Sequence, residues 1–194
     1  MKKVVVFLVI WAGLGMMVNG TIIRPVNIEQ MTTDAHTIFY GKCMAAEPRL
    51  DENGLPATRY TFEVQKILKG VLPQTFFIKQ FGVNKPLNEN LPVSSVGGMP
   101  NYVVGDSYLL FMTEVSRLGF SSPQGLNQGA FRTFLDTSSR QIVAVNGQGN
   151  SGLFDGVKIR TGSRLREAAP DSGEYHPLLL EDLMRLVQQV LESK

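Results

Sequence analysis

Residues 147–152, Gly-Gln-Gly-Asn-Ser-Gly, have the G-x-G-x-x-G spacing of a dinucleotide-binding loop. In such a loop the third glycine opens a helix whose N-terminus meets the pyrophosphate. The residues that follow here, 153–162, are instead typical of a strand or a loop. The motif therefore indicates a flexible turn, and the sequence predicts no nucleotide cofactor.

Ser151, inside the same stretch, has the chemistry of a nucleophile. A serine nucleophile needs a histidine base, a carboxylate that orients the base, and an oxyanion hole. The chain has two histidines, His36 and His176. The residues beside His36 and after Ser151 do not continue as a serine-protease pattern requires. We therefore predict that the protein is not an enzyme, and a hydrolase that uses Ser151 or acidic residues is the weakest of three hypotheses.

A metal site would need clustered His, Cys, Asp or Glu side chains. Two distant histidines and one cysteine do not form such a cluster. Asp51, Glu52 and Asn53 could together bind calcium, although acidic residues in turns are usually just solvated. The sequence predicts no metal site and no cofactor.

The first twenty residues have the order of an export signal. Lys2 and Lys3 precede an apolar run at residues 4–18, and the small residue Gly20 follows. The run is shorter than the roughly 20 residues of a membrane-spanning helix, which favours a signal peptide. A retained membrane anchor is the alternative. We predict a signal peptide at residues 1–20 and a secreted or periplasmic protein, with membrane contact only through this segment if it is uncleaved.

Charge and cysteine content narrow the partner classes. Without Lys2 and Lys3, 17 of the 19 basic residues remain, which equals the number of acidic residues, 17. A neutral chain has no general attraction to nucleic acid, so no nucleic-acid partner is predicted. Cys43 is the one cysteine, which excludes an intrachain disulfide. Its apolar neighbours favour burial over an intermolecular link.

Short runs of alternating apolar and polar residues, separated by turn signals such as Asn53-Gly54, predict strands. No segment of helix length separates these runs, which favours an antiparallel barrel or sandwich over a parallel sheet. The predicted strands lie at residues 37–46, 59–68, 74–81, 106–115, 128–136 and 140–145.

The remaining segments complete a domain outline. Residues 25–35 have the character of a short helix, and the barrel domain is predicted at residues 21–146. Residues 147–175 are predicted to form a glycine-rich extended linker, and residues 176–194 an amphipathic helix. The apolar stripe of this helix must be covered, either by the barrel or by another chain. Oligomerisation through the helix is therefore a second hypothesis, that of an envelope or extracellular assembly protein.

Four phrases of the sequence together resemble a known pattern. They are DAHTIFYGKCMAAE, YTFEVQKILKG, GGMPNYVVGDSYLLFM and NQGAFRTFLD, within Asp34 to Asp136. They resemble a family of exported bacterial proteins, largely uncharacterised, and the OB-fold barrel of netrin-like domains, which include the tissue inhibitors of metalloproteinases. The resemblance implies an OB-like barrel and a protein partner, with a secreted metalloprotease as the specific candidate. The implied scaffold positions are Gly41, Phe62, Val64, Gly70, Gly105, Tyr108, Phe111, Gly129 and Phe131.

The sequence departs from the inhibitors at one decisive point. Those proteins place an N-terminal cysteine on the catalytic zinc of the protease, and disulfides hold that region. Here the expected first residue is Thr21 and no disulfide can form. The inhibitory mechanism is therefore not implied by the resemblance.

The leading hypothesis is an exported, non-enzymatic protein-binding module. Recognition residues usually lie on loops held by a rigid barrel. The two candidate loops are residues 82–100, a long stretch with little periodicity, and the turn at residues 49–56. The candidate binding residues are Arg49, Asp51, Asn53, Asn84, Lys85, Asn88 and Asn101.

Overall fold

The computed structural model describes residues 24–87, 95–158 and 177–193. Strands dominate this part of the chain, so the predicted mainly-β class is confirmed. The predicted signal peptide, residues 1–20, lies outside the described residues. The elements in chain order are α1 (Ile28–Asp34), β1 (Thr37–Leu50), β2 (Pro56–Lys69), β3 (Thr75–Phe81), β4 (Ser107–Met112), a 3-10 turn (Leu126–Gly129), β5 (Ala130–Asp136), β6 (Gln141–Val145), β7 (Leu178–Leu179) and α2 (Leu180–Glu192).

All seven strands form one sheet in the order β3-β2-β1-β4-β5-β6-β7. Every pair of neighbours is antiparallel, as the sequence predicts. Strands β3 and β7 form the two edges, and within the described ranges no pairing joins one edge to the other. The sheet is therefore open there, and closure into an OB-like barrel stays a prediction.

Strand β1 lies inside the sheet, between β2 and β4, and its pairing with β2 is irregular. Their register shifts three times, beside Ile38, beside Tyr40 and beside Cys43. Such irregularities bend a strand and increase its twist. Gly41 sits at one of them, where an added Cβ would lie 2.7 Å from the carbonyl oxygen of Glu63. The bend thus requires a residue without a side chain at this position.

The sheet buries side chains on both faces. On one face, α1 and α2 cover a core that includes Ile38, Leu109 and Phe111. The other face holds a second core around Phe39 and Phe62. Strand β4 contributes to both cores, because its alternate side chains point to opposite faces. All residues of β4 after Ser107 are accordingly buried.

Three tyrosines of the second core stack edge to face. The ring of Tyr102 lies 4.8 Å from that of Tyr60 and 5.1 Å from that of Tyr108. Such T-shaped pairs stabilise a core beyond their buried area. Cys43 belongs to the same core and is fully buried, as predicted. Burial raises the pKa of its thiol to about 11.

Helix α2 begins later than predicted, at Leu180 rather than at residue 176. Leu178 and Leu179 instead form β7, which pairs with β6. The apolar stripe of the helix packs on the sheet and buries Leu183, Val187 and Val190. This chain therefore covers the stripe itself.

Residues 147–158 differ from the extended conformation predicted for the linker. They form consecutive turns that bury Leu153 and Asn150. Asn150 accepts a hydrogen bond from the Asn146 amide (2.9 Å) and donates one to the Ala144 carbonyl (3.0 Å). The glycine-rich, polar composition of these residues predicts a linker. In the structure, the hydrogen bonds of Asn150 hold the segment against the end of β6.

Candidate protein-binding surface

The turn between β1 and β2 is built around Asp51. One carboxylate oxygen, Oδ1, accepts hydrogen bonds from the amides of Asn53 (2.9 Å) and Leu55 (2.8 Å). Gly54 follows with a φ of 74°, which glycine adopts at no steric cost. The predicted Asn-Gly turn is therefore present, and it holds Asn53 exposed at its tip.

Lys79 of β3 binds this turn. Its Nζ lies 2.8 Å from Oδ2 of Asp51 and 2.8 Å from Oε1 of Glu52, and it donates to the carbonyl of Leu118 at 2.9 Å. The hydrogen bond from Lys79 lowers the pKa of Asp51 to about 2 and also lowers the pKa of Glu52. The two carboxylates considered as calcium ligands thus neutralise a lysine.

The chain that leaves β3 lies beside the same turn. The Gly82 amide donates to the Pro56 carbonyl at 2.8 Å, and the Thr58 hydroxyl donates to the Gly82 carbonyl at 2.7 Å. Pro56 and Thr58 belong to the first residues of β2, directly after the turn. The two predicted binding loops therefore meet at one end of the β2–β3 pair.

Two of the predicted residues contact each other across the long loop. Asn84 Nδ2 donates to Asn101 Oδ1 at 2.7 Å, and the Tyr60 hydroxyl donates to the same oxygen at 3.1 Å. Beneath them, Gln80 Nε2 donates to the Pro100 carbonyl at 2.7 Å. These bonds fix the two flanks of the loop against the sheet.

The structure thus places the six described residues of this prediction at one end of the sheet but joins only some of them. Asp51 and Asn53 share the turn, and Asn84 and Asn101 share a hydrogen bond. Arg49, at the end of β1, and Lys85, after β3, are exposed. Asn88 lies outside the described residues.

Lys79 and Phe120 organise this end of the sheet and were not among the residues predicted from the sequence. The Lys79 ammonium lies 4.6 Å from the centroid of the Phe120 ring, and the Phe81 ring lies 5.7 Å from it. Residues 113–122, which carry Phe120, also protect the edge of β3, because the Ser121 amide donates to the Lys79 carbonyl. The sequence contains the acidic turn at residues 51–55 and a lysine on the second strand after it, but no local pattern links the two.

Of the residues considered for catalysis, the structure describes Ser151 and His36. Among the described residues no hydrogen bond links the side chains of Ser151 and His36, and His176 is not described. In the same part of the chain no group of three or more His, Cys, Asp or Glu side chains could hold a metal ion.

The structure also contains a groove that was not predicted from the sequence. This groove of about 700 Å³ lies where the first turns of α2 meet the sheet. Its lining combines residues that are far apart in the sequence, which is why no local pattern indicated it. Aromatic, aliphatic and charged side chains line the groove, among them Tyr40, Lys66, Arg140, Ile142, Leu180 and Arg185.

The chain matches no protein-family model and no curated protein. The resemblance to netrin-like domains therefore stays a proposal. Among the helices in the described ranges, none is long and apolar enough to span a membrane.

Proposed function

We propose that this chain is an exported, non-enzymatic protein-binding module that recognises its partner through one end of the sheet. This end, called the loop end here, consists of the turn at residues 51–55 and the segments 82–87, 95–101 and 115–120. The observation that carries the proposal is the contact between Gly82 and Pro56, which places both loops side by side. Adjacent loops on a rigid sheet are a common location for recognition.

The chemistry of the loop end suits a protein partner. Asn53, Asn84 and Asn101 present carboxamides to solvent, and the apolar residues Val96 and Leu118 are exposed beside them. Interfaces of non-obligate complexes combine apolar contacts with a polar rim. A protein surface is therefore a better match than a small molecule, which usually needs a deep pocket.

The resemblance to netrin-like domains supplies a specific candidate, a secreted metalloprotease. Such a contact would rest on the loops, because this chain has no cysteine at its expected first residue, Thr21. The proposal that the protein is exported rests on the signal-like pattern of residues 1–20.

The assembly hypothesis has less support than the binding module. It requires the apolar stripe of the C-terminal helix to be covered by another chain, whereas Leu183 and Val187 are buried against the sheet of the same chain. The intact protein is therefore expected to run as a monomer in light scattering.

Site-specific cross-linking tests the proposal. A photo-cross-linking amino acid at Lys85, in the loop end, is expected to capture a partner in the native host, where mass spectrometry would identify it. The matched control carries the same group at Lys158, which is also exposed but follows the turns at residues 146–156. For the deletion experiment the photo-cross-linking group is placed at Asn53, in the turn of the loop end, because removal of residues 84–96 also removes Lys85. This removal is expected to abolish capture from Asn53 while the melting curve stays nearly unchanged. Equal capture from Lys85 and Lys158, or capture that survives the deletion, would refute the loop end as the binding surface.

A further inference from the structure

Strand β6 has an edge that β7 covers only in part. β6 spans Gln141–Val145, whereas β7 pairs only opposite Val143 and Ala144. Pairing stops there because the chain turns into α2 at Leu180. Among the described residues, no strand pairs with this edge at Gln141 and Ile142, and both residues line the groove. An uncovered strand edge is a template for an added strand.

The groove next to this edge can accept a side chain. Its volume, about 700 Å³, lies within the range of natural ligand pockets. Tyr40, Leu180 and Met184 line it, and Ile142 is 47% exposed within it. Covering Ile142 would remove apolar surface from water, which favours an aliphatic occupant.

The charges of the groove favour an acidic occupant. Lys66 and Arg140 lie on its sheet side, and Arg185 lies on its helix side. Of the two acids in the lining, Asp182 binds Arg185 at 3.1 Å. Glu181 is the other acid of the lining, so Lys66 and Arg140 outnumber it. The sheet side of the groove is thus positive.

We propose that the groove binds an extended segment of a partner polypeptide that adds to the edge of β6. The segment places an aliphatic side chain against Ile142 and Leu180, and an acidic side chain beside Lys66 and Arg140. Main-chain hydrogen bonds supply affinity in this mode, and pockets for alternate side chains supply specificity.

This surface is distinct from the loop end. Tyr40 lies near the start of β1, whereas the loop end follows Leu50, ten residues further along the strand. At the rise of an extended strand this separation is about 30 Å. The inference therefore stands independently of the proposed function.

A designed peptide serves as the probe. It is a short fluorescein-labelled peptide that alternates valine with glutamate, and its binding to the full chain is followed by fluorescence anisotropy. We expect saturable binding. Replacing every glutamate by lysine is expected to weaken binding about tenfold or more, because Lys66 and Arg140 would then repel it. A proline at the centre of the peptide is expected to abolish binding, because it removes a main-chain donor and cannot sit within a paired strand.

Two matched variants locate the site. Ile142→Asp is expected to weaken binding of the valine–glutamate peptide about tenfold. Leu135→Asp should leave binding unchanged, because Leu135 pairs directly with Ile142 and is 61% exposed but does not line the groove. The lysine and proline peptides test the unmodified protein, so they decide the question even if Ile142→Asp does not fold.

Several results would overturn the inference. They are the absence of an anisotropy change up to about 1 mM protein, equal binding of the proline peptide, and an equal loss in the Leu135→Asp variant. A fourth is binding seen only after residues 159–176 are replaced by glycine and serine. That last outcome would show that the groove takes up a segment of its own chain.

Discussion

Lys79 and Asp51 form an ion pair, with Nζ 2.8 Å from Oδ2, that joins β3 to the turn between β1 and β2. The Asp51 side chain is almost fully buried there, although the turn lies at the surface. Two backbone amides bind the other carboxylate oxygen. Asp51 is thus the residue that holds the turn in register with β3.

The ion pair predicts loss of stability in acid. Because Lys79 lowers the pKa of Asp51 to about 2 in the folded state, the pair stabilises the protein above the ordinary carboxyl pKa of about 3.9. This stabilisation is lost as the pH falls from about 4 toward about 2, where the folded carboxylate becomes protonated. Urea unfolding at several pH values should show a smaller acid dependence in Asp51→Asn than in the unmodified protein. Glu52 and Asp136, whose pKa values are also lowered, would supply the dependence that remains. An unchanged acid dependence in Asp51→Asn would contradict the prediction.

Cys43 is expected to resist alkylation in the folded protein. Its side chain is fully buried and its thiol pKa is raised to about 11, so almost no thiolate exists at neutral pH. Reaction with iodoacetamide should therefore require unfolding. Met44→Cys is a suitable control, because Met44 is the next residue on β1 and is exposed. The control variant should label once when folded and twice in denaturant, whereas labelling of Cys43 at the rate of the control thiol would disprove its burial.

Gly41→Ala is expected to destabilise the protein by about 1–3 kcal/mol, because the added methyl group would collide with backbone in β2. The Cβ would lie 2.7 Å from the Glu63 carbonyl oxygen and 3.3 Å from the Phe39 ring. Gly97→Ala is the control, since nothing lies within 4 Å of a Cβ there. Urea unfolding should leave the control within about 0.5 kcal/mol of the unmodified protein. Equal stabilities of the two variants would show that the β1 bend tolerates a side chain.

Asn150 allows its backbone conformation and its hydrogen bonds to be tested separately. Its φ is 67°, and its side chain bonds the Asn146 amide and the Ala144 carbonyl. Asn150→Gly keeps the conformation but leaves both partners unpaired, which should cost about 2 kcal/mol. Asn150→Ala should cost about 1 kcal/mol more, because alanine is strained at positive φ. Calorimetric melting temperatures should fall in the order unmodified, Asn150→Gly, Asn150→Ala. Equal melting temperatures for the two variants would contradict the conformational part of the argument.

The strands could be predicted because their signal is local. Tyr60 and Phe62 alternate with Thr61 and Glu63 in the sequence. In the structure Tyr60 and Phe62 are buried, whereas Thr61 and Glu63 are more exposed. The ends of the elements were less predictable. β1 continues to Leu50 because its last residues pair with β2, although they include the charged Glu47 and Arg49 and a proline. β7 has two residues, too few for any periodicity.

The sites depend on contacts that sequence periodicity does not contain. Asp51 was selected because it lies in a turn, but its partner Lys79 follows 28 positions later and meets it only through the β1–β2–β3 order. The groove depends even more on long-range contacts, because Tyr40 and Leu180, which both line it, come from nearly opposite ends of the chain. Only the sheet topology brings such residues together.

The stacked tyrosines of the second core allow unfolding to be followed by the intrinsic fluorescence of the protein. The chain has a single tryptophan, Trp11, within residues 1–20, whereas Tyr60, Tyr102 and Tyr108 are buried in contact with one another. A chain without those first residues would emit light from tyrosine alone. Three of its five tyrosines would then register, without any added dye, the opening of the sheet face that faces away from the helices.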